Sequence, residues 1–482
     1  MATTGSPLRI YTLDDLPPEV VAVTFARTSR SPESFDEIAR ALTEEASSRF
    51  HEKWVVGYGH SSVAEHAVLS IAVENISILG AKVIEDNRLS SFTEKSTRYQ
   101  VMSPDNYYTP SVFAEGRHGE LYSSTVAELY AVYESLLPQS RQFAEERYGS
   151  GSCRSQGLTP AGKACDIVRG LLPAAAKTNL GWTVNARSLR HAIVKLGSNP
   201  LEEMRELAAG LSRVAGDRVP TLLKYTEPSP YLTGWEGRMR ETSGELRDEG
   251  ADSSNAGSAR RGSGASGVRL VEHDDDGERS VLASLLFRAG ESSYESARRV
   301  VNDWSDERMG AALEAAVLSV GDHEAPVREL EMTDYTFEIT CDFGAYRDVQ
   351  RHRMATQTRQ PLGCELGYEI PDDAREAGVA DRMEQGLRSA GDAWRQLAET
   401  DRNAAQYVVP LAYRVRFLMK MNLREAYVFC RLRSRVQGHD AYRRIAWAIR
   451  DEIERVHPAL GRLIPVDRST AEAALIQTEA DR

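Results

Sequence analysis

The chain has 482 residues and a formal net charge of −12 at pH 7, and because this length exceeds what one ordinary hydrophobic core supports, we predict two domains. A hydrophobic content of 41% and a charged content of 27% are typical of globular proteins, so each half can bury a core. The acidic balance argues against a nucleic-acid coat and a polybasic membrane anchor, although a few arginines in a cleft could still bind a phosphate.

The amino terminus reads MATTGSPLRIYTLDD and has neither the basic region nor the apolar core of a signal peptide. No run of the sequence approaches the ~18 apolar residues of a membrane-spanning helix. We therefore expect a soluble, cytoplasmic protein that binds neither membrane nor nucleic acid. The five cysteines are odd in number and lack CxxC spacing, which is typical of reduced thiols rather than of disulfides or a zinc site.

The first half begins with a helix signal and continues with a strand signal. Ser34 and Glu37 have the spacing of a capping box, and Phe35, Ile38 and Leu42 follow at helical intervals. From residue 67 to residue 74, apolar positions alternate with the positions between them, which predicts a strand with one apolar face.

A polar loop, GHSSVAEH at residues 59–66, precedes that strand. Its two histidines are six residues apart with Glu65 between them, which is not the zinc-helix spacing of an HExxH motif. We therefore expect no metal site here. A loop that contacts a ligand and a pair of structurally satisfied histidines both fit the pattern.

The middle of the chain differs sharply in composition from its flanks. From about Thr233 to Gly267 it consists mostly of Gly, Ser, Arg and acidic residues, with almost no aliphatic side chains. Such a segment cannot offset the entropy of ordering, so we predict a flexible linker or exposed loop. The predicted boundaries are a first domain at 1–230, a linker at 231–268 and a second domain at 269–482.

The second half repeats the order of sequence signals found in the first half. Tyr335, Phe337, Ile339 and Cys341 alternate strictly with polar residues, which predicts another strand. Later in each half, an aliphatic pair and a proline precede an Asn-x-Arg sequence.

The spacing from Pro173 to Asn185 equals that from Pro410 to Asn422, and an arginine stands two residues after each asparagine. Together with the common order of strand and arginine segment, this spacing predicts a tandem duplication.

The arginine segments of the two copies complement each other. Arg351, His352 and Arg353 follow the second strand, on what we predict to be a helix. Asp86-Asn87-Arg88 aligns with this triplet, whereas Ser96 and Arg98 align with Pro361 and Gly363. Guanidinium forks suit phosphate oxygens, although a solvated face with ion pairs is the alternative for the triplet, and a turn with a surface arginine for the other segment.

Several enzyme classes lack their signatures in this chain. We find no P-loop, no G-x-G-x-x-G fingerprint and no Ser-His-Asp arrangement, which disfavours a P-loop kinase and a Rossmann dehydrogenase. No cysteine stands in a context that marks it as a nucleophile.

Taken together, the Arg-His-Arg triplet, the Ser-x-Arg-Tyr sequence, the GHSSVAEH loop and the Pro-to-Asn-x-Arg block resemble the flavin-dependent thymidylate synthase family. The resemblance covers most of both halves and implies an α/β fold of two tandem domains, each a twisted sheet flanked by helices. Family members form homotetramers whose active sites lie between subunits and hold FAD, dUMP and methylenetetrahydrofolate. NADPH reduces the flavin, and no enzyme cysteine is needed as nucleophile.

The resemblance also implies roles for individual residues, divided between the copies. In copy two, the residues expected to contact FAD are Arg351, His352, Arg353, Asn422 and Arg424. In copy one, the flavin-side residues are Ser62, Glu65, Asn185, Arg187 and His191. The nucleotide would be bound by Ser96, Arg98, Arg169, Arg351 and Arg433. Arg433 would also be the catalytic residue that polarises the uracil.

Other positions depart from the family pattern. Gly363 stands in the place of Arg98, Gln406 in that of Arg169, and Asp348 where the family usually has a dUMP-contacting glutamine. Thr356 and Pro361 replace family serines. Copy two has His323-Glu324-Ala325-Pro326 in the place of the polar loop and lacks its Glu-His end.

Each copy keeps some of the family's nucleotide-binding residues and lacks those that the other copy keeps. We therefore predict one composite nucleotide site per chain and a homodimer in place of the family tetramer. The alternatives are a relative that binds flavin or nucleotide without synthase activity, one that methylates another uridine derivative, and a non-catalytic scaffold.

Overall fold

The fold is described from a computed structural model of the chain. The described residues are 9–13, 15–42, 47, 49–50, 61–149, 159–244, 267–317, 320–321 and 323–469. Gly59, His60, Cys153 and the part of the predicted linker from 245 to 266 lie outside these ranges.

The described part of the chain is a mixed α/β structure, as predicted. The helices of the first half are α1 (Pro18–Thr28), α2 (Phe35–Arg40), α3 (Ile78–Ile84), α4 (Gly116–Tyr148), α5 (Pro160–Val168), α6 (Ala186–Gly197), α7 (Glu202–Gly216) and α8 (Pro230–Gly244). Those of the second half are α9 (Gly277–Ala289), α10 (Tyr294–Asn302), α11 (Asp306–Val317), α12 (Phe343–Val349), α13 (Asp372–Glu376), α14 (Ala380–Thr400), α15 (Leu423–Arg433), α16 (Asp440–Val456) and α17 (Pro458–Leu463). The strands are β1 (Val68–Ser77), β2 (Ser90–Glu94), β3 (Lys177–Asn185), β4 (Val268–His273), β5 (Asp334–Asp342), β6 (Thr356–Arg359) and β7 (Arg414–Asn422).

The chain divides into two units, and the first comprises residues 1–76, 87–94 and 178–249. Its sheet has the order β1-β3-β2, with β2 antiparallel to β3. Trp182 on β3 is fully buried and stacks on Phe92 of β2, with 5.8 Å between ring centroids. The predicted capping box is confirmed, because Ser34 and Glu37 form it at the start of α2.

The second unit comprises residues 77–86, 95–177 and 250–482. Its antiparallel sheet has the order β4-β5-β7-β6. The alternation that predicted β5 is confirmed, because Tyr335, Phe337 and Ile339 are all buried. The long helices α4 and α14 pack against each other in this unit, where Ser389 donates a hydrogen bond to Glu128.

Equivalent hydrogen bonds confirm the duplication residue by residue. Asn185 and Asn422 each cap the helix that follows their strand, with side-chain oxygens that accept from backbone N–H groups at 2.8 and 2.9 Å. The next residue in each copy donates its N–H to the residue before the copy's first long strand: Ala186 to Ala67, and Leu423 to Thr333.

Strand β1 is one residue longer than its counterpart β5. Asn75 adopts a φ of 59°, and its N–H donates to the side chain of Asn179. A positive φ at an asparagine is typical of a β-bulge, which inserts one residue into a strand. Ser77 therefore matches Asp342. From this position on, the difference in residue number between equivalent positions is one smaller than it is before the bulge.

The segments of the two copies that lie in the second unit pair about an approximate two-fold axis at residues 173 and 410. Pro173 forms an antiparallel bridge with its own counterpart, Pro410. On either side, Ala174 donates to the carbonyl of Val409, and Leu411 donates to that of Leu172, both at 2.9 Å. Pairing of a segment with its own equivalent is the geometry of an isologous subunit interface, here inside one chain.

The beginning of the predicted linker differs from expectation. Residues Pro230–Gly244 form helix α8, whose side chains are mostly exposed. Proline is favourable in the first turn of a helix, and the Glu, Arg and Met residues that follow are good helix formers, which favours a helix here despite the interior glycines. The predicted domain boundaries stay predictions.

None of the described helices has both the length and the apolar character required to cross a bilayer. The described cysteines, Cys165, Cys341, Cys364 and Cys430, are buried free thiols. Burial raises the pKa of each of these thiols above its ordinary value, which makes them poor nucleophiles.

Candidate functional site

The Arg-His-Arg triplet lies in a turn, and the prediction that it is helical was wrong. Helix α12 ends at Val349, and the chain then turns into β6. The side chain of Gln357 stabilises this turn, because its amide donates a hydrogen bond to the carbonyl of His352 at 3.1 Å. Within the turn Arg351 is exposed, His352 is buried and Arg353 is half-buried.

His352 connects two other side chains of copy two. Its Nδ1 lies 2.9 Å from Glu425 Oε1, and its Nε2 lies 2.9 Å from Arg433 Nε. Since a guanidinium can only donate, Nε2 accepts and Nδ1 carries the proton. Burial lowers the pKa of His352 below its ordinary value, so the ring is neutral, as this arrangement requires. His352 thus orients Arg433.

Arg98, from copy one, is engaged by three groups. It forms a bidentate pair with Asp166, with distances of 2.9 Å from Nε and 2.8 Å from Nη2. Its Nη1 donates to the Tyr442 hydroxyl and its Nη2 to the Gln437 carbonyl, both at 3.2 Å and both in copy two. Ser96 supports the loop by accepting from the Arg98 backbone N–H.

Asp166 and Arg169 lie next to each other in copy one. Burial alone would raise the pKa of Asp166, but Arg98 and the other nearby cations hold it well below its ordinary value. The Arg169 side chain is only 5% exposed, and its Nε lies 3.7 Å from Asp166 Oδ1. Among the described residues, Arg169 Nη2 has no hydrogen-bond partner. Arg169 is therefore a buried guanidinium with unused donors.

Asp348, at the end of α12, lies within this arginine cluster. Burial alone would raise the pKa of Asp348, but the surrounding guanidiniums keep it below its ordinary value. In order of effect, they are Arg169, Arg351, Arg433 and Arg98. Arg351 Nη1 lies 3.8 Å from the carboxylate. Arginines from both copies thus surround one ionised side chain in the second unit.

Sequence reasoning missed two residues of the cluster, Asp166 and Tyr442. The ring of Tyr442 lies 6.0 Å from the guanidinium carbon of Arg98 and 5.6 Å from that of Arg433. Neither residue belongs to a motif, and Tyr442 is 344 positions from Arg98, so no local pattern could have identified it.

The counterpart positions in copy two are occupied by neutral residues. Gln406, in the place of Arg169, accepts from the Leu362 backbone N–H at 2.9 Å and donates to the Asn403 carbonyl. A Cβ on Gly363, in the place of Arg98, would meet Glu365 Oε2 at 2.5 Å and a ring carbon of Trp394 at 3.1 Å. These positions are satisfied by the protein's own groups.

The flavin-side residues of copy one lie in the first unit. Glu65 forms an ion pair with Arg187, in the first turn of α6, and His191 is exposed one helical turn further on. Ser62 is exposed on the short 3-10 helix that contains Glu65, and Asn185 caps α6. Their contacts with a cofactor stay predictions.

In copy two, the same ion pair is preserved at a position that the sequence alignment missed. Arg424 donates to Glu331 at 2.8 Å, and Glu331 stands three residues before β5, as Glu65 does before β1. The residues first compared with the polar loop, 323–326, are therefore not its counterpart. Copy two keeps the glutamate, and Met332 takes the place of His66.

The cluster has a charge suited to an anion. Its four guanidiniums exceed the two carboxylates of Asp166 and Asp348, and Arg169, Arg351 and Arg433 keep unused donors. Burial lowers the pKa of the nearby His439 to about 3, so this ring adds no charge. Among the described residues, no group of three or more His, Cys, Asp or Glu is placed to hold a metal ion.

Comparisons with known proteins agree with the duplicated architecture. The sequence profile of the family described as thymidylate synthase complementing protein matches the chain twice, over residues 12–221 and 269–459. A UPF0159 protein of Chlamydia muridarum is 31% identical over 98% of this chain and 95% of its own length. The UPF0159 protein Ta1429 of Thermoplasma acidophilum is 27% identical over 89% of this chain and 92% of its own length.

Relatives with a stated activity match a smaller part of the chain. The flavin-dependent thymidylate synthase of Thermococcus onnurineus is 30% identical over 29% of this chain and 51% of its own length. That of Clostridium tetani is 25% identical over 44% of this chain and 83% of its own length. The chain belongs to the thymidylate synthase complementing protein family, and its two tandem copies each match the family's sequence profile.

Proposed function

We propose that the protein is a flavin-dependent enzyme that transfers a one-carbon unit from methylenetetrahydrofolate to C5 of a uracil nucleotide, with dUMP as substrate and NADPH as reductant. The observation that carries this proposal is the cluster around Asp348. Arg98 and Arg169 of copy one both lie beside Asp166. In copy two, Arg351 lies 3.8 Å from Asp348, and Arg433 shares the Tyr442 ring with Arg98, at 5.6 and 6.0 Å from its centroid. Together these guanidiniums hold the pKa of Asp348 below its ordinary value.

The nucleotide phosphate would bind to the guanidiniums that keep unused donors. Charge-assisted hydrogen bonds of this kind contribute about 1.5–3 kcal/mol each. Arg169 is preorganised for this role because it is buried beside Asp166. Arg98 serves the site differently from the expectation, because Asp166 and Tyr442 already engage most of its donors.

Arg433 would act on the pyrimidine. His352 fixes its Nε, which leaves the two terminal nitrogens to donate to a pyrimidine carbonyl. A fixed cation at this position stabilises negative charge that develops on the ring, as donors of an oxyanion hole do. Because His352 is neutral, it orients the guanidinium without neutralising its positive charge.

The family implies FAD, and residues of copy one fit its binding. Arg187 and His191 lie one turn apart on α6, where a cation and an imidazole can contact pyrophosphate oxygens. Ser62 offers an exposed hydroxyl close in sequence to Glu65, the partner of Arg187. When bound, FAD supplies the redox chemistry, and the protein supplies orientation and charge.

A second candidate function is nucleotide or flavin binding without synthase activity. Asp348 favours this alternative, because a carboxylate beside the arginines opposes a phosphate. Under either reading we propose one nucleotide site per chain and a homodimer, in which the internal two-fold axis replaces one subunit interface of the family tetramer.

The test uses the purified full-length chain. Bound flavin is measured by its visible absorbance, and turnover by tritium release from dUMP labelled at C5, with methylenetetrahydrofolate and NADPH present. Coloured protein that releases tritium supports the synthase. Coloured protein that binds dUMP without release supports the binding function, and colourless protein that binds no nucleotide contradicts both.

A further inference from the structure

Asp348 is the one feature of the arginine cluster that opposes anion binding. Its side chain is 12% exposed and lies 3.8 Å from Arg351 Nη1. In the described part of the chain, no hydrogen-bond donor reaches its carboxylate within bonding distance. An ionised, buried carboxylate at the centre of an anion site needs an explanation, because it weakens the binding of every anion.

The position of Asp348 on α12 brings it close to Arg169. The Cζ of Arg169 lies 3.7 Å from where a Cβ on Gly344 would stand, and Gly344 is one helical turn before Asp348. Gly344 and Asp348 therefore lie on the same face of α12, the face next to Arg169. Arg351, on the other side, has a side chain that is 45% exposed, so the cluster is open to solvent there.

The donors of the cluster fall into two groups. Arg98 and Asp166 form a bidentate pair whose charges offset each other. The second group consists of Arg169, Arg351 and Arg433, whose terminal nitrogens keep donors available, together with Asp348. Three cations and one anion leave two positive charges for a ligand.

Arg433 would face the pyrimidine of a bound nucleotide, but its charge still belongs to the total that the whole ligand must balance. Two positive charges match a ligand with one phosphate monoester, which carries about −1.5 to −2 at pH 7 because its second pKa is about 6. Without Asp348 the three guanidiniums would better match a diphosphate. We propose that Asp348 is a specificity-determining residue that limits the site to ligands with a single phosphoryl group. This proposal builds on the proposed function and defines the ligand class of the same site.

The test compares the wild type with Asp348→Asn, which preserves the shape of the side chain and removes its charge. Dissociation constants for phosphate, pyrophosphate, dUMP and dUDP are measured by calorimetry on the full chain at fixed ionic strength. Asp392→Asn is the matched control, because it makes the same change at an exposed position of α14. Asp348→Gln repeats the measurement if the asparagine variant does not fold.

We expect Asp348→Asn to improve pyrophosphate and dUDP binding roughly tenfold more than phosphate and dUMP binding, about 1.4 kcal/mol. The control should leave both ratios unchanged. Unchanged ratios in Asp348→Asn, or wild-type protein that binds neither phosphate nor pyrophosphate, would overturn the inference. If inorganic ligands bind but uracil nucleotides do not, the proposed function fails, while the ratio for the inorganic pair still decides the role of Asp348.

Discussion

The Arg98 loop and the equivalent Gly363 loop began as copies of one structure. They now differ in the side chains that pack at these two positions. At Arg98, a guanidinium pairs with a buried carboxylate and contacts copy two through Tyr442. At Gly363, the space beside the backbone is occupied by the exposed side chain of Glu365 and by the Trp394 ring. The difference teaches that one loop retained buried charge while the other was packed as ordinary structure.

Helices α3 and α12 differ in the same sense. The buried Lys82 of α3 pairs with Glu85, the residue that follows the helix, so its charge is balanced locally. In α12, Asp348 stands where α3 has Val83. Its balancing charges come from Arg351, three residues further on, and also from Arg169, Arg433 and Arg98 on other segments of the chain. Helix α12 thus has a buried charge that is balanced in part by residues distant in sequence.

The largest effect we expect comes from removing Arg98. Arg98→Ala leaves Asp166, whose side chain is 7% exposed, without its bidentate partner, and loss of one member of a buried pair costs about 3–5 kcal/mol. The free energy of unfolding, measured in urea, should fall by this amount. The double variant Arg98→Ala/Asp166→Asn should recover part of the loss. If the single variant is as stable as the wild type, the two loops do not differ in buried charge as described.

Next in size is the effect of Arg433→Leu, which introduces the residue found at the equivalent position, Leu196. We expect kcat for tritium release to fall by about 10²–10³, as for loss of an oxyanion-hole donor, with flavin content unchanged. Arg455→Leu, on the exposed face of α16, is the control and should keep full activity. Loss of flavin in Arg433→Leu would argue against an electrostatic role on the pyrimidine.

The smallest expected effect concerns Asp342, the capping residue of α12, whose equivalent in copy one is Ser77. Burial, together with nearby Glu369, raises the pKa of Asp342 from 3.8 to about 7. The folded state therefore binds this proton more tightly than the unfolded chain does, and wild-type stability falls as pH rises from about 4 to about 7.

Asp342→Ser keeps a capping oxygen, as Ser77 does for α3. It should stabilise the protein more at pH 8 than at pH 4, because the serine has no proton to lose over this range. Thermal unfolding of both proteins across this pH range measures the difference. A difference that stays constant with pH would show that Asp342 titrates normally.

The sequence was sufficient to predict the features that depend on residues close together in the chain. Strand β5 followed from its alternation, α2 from its capping box, and the duplication from the shared spacing of Pro173–Asn185 and Pro410–Asn422. Each of these depends on residues close together in the chain, where period and spacing carry the information.

The remaining features depend on contacts between distant segments. The triplet lies in a turn that Gln357, on the following strand, stabilises through a hydrogen bond to the carbonyl of His352. Glu331 was missed because the loops before the two strands differ in sequence, and only the backbone pairing at Thr333 and Leu423 aligns them. Tyr442 and Asp166 became visible only through their contacts with Arg98.

The bridge between Pro173 and Pro410 has a consequence for how such a protein can change over time. When identical subunits meet across a symmetry axis, every substitution appears on both sides at once. Here the two faces are separate stretches of one polypeptide, so each position can vary alone. An arginine can be lost from one face while its twin is retained, which an assembly of identical chains could not achieve.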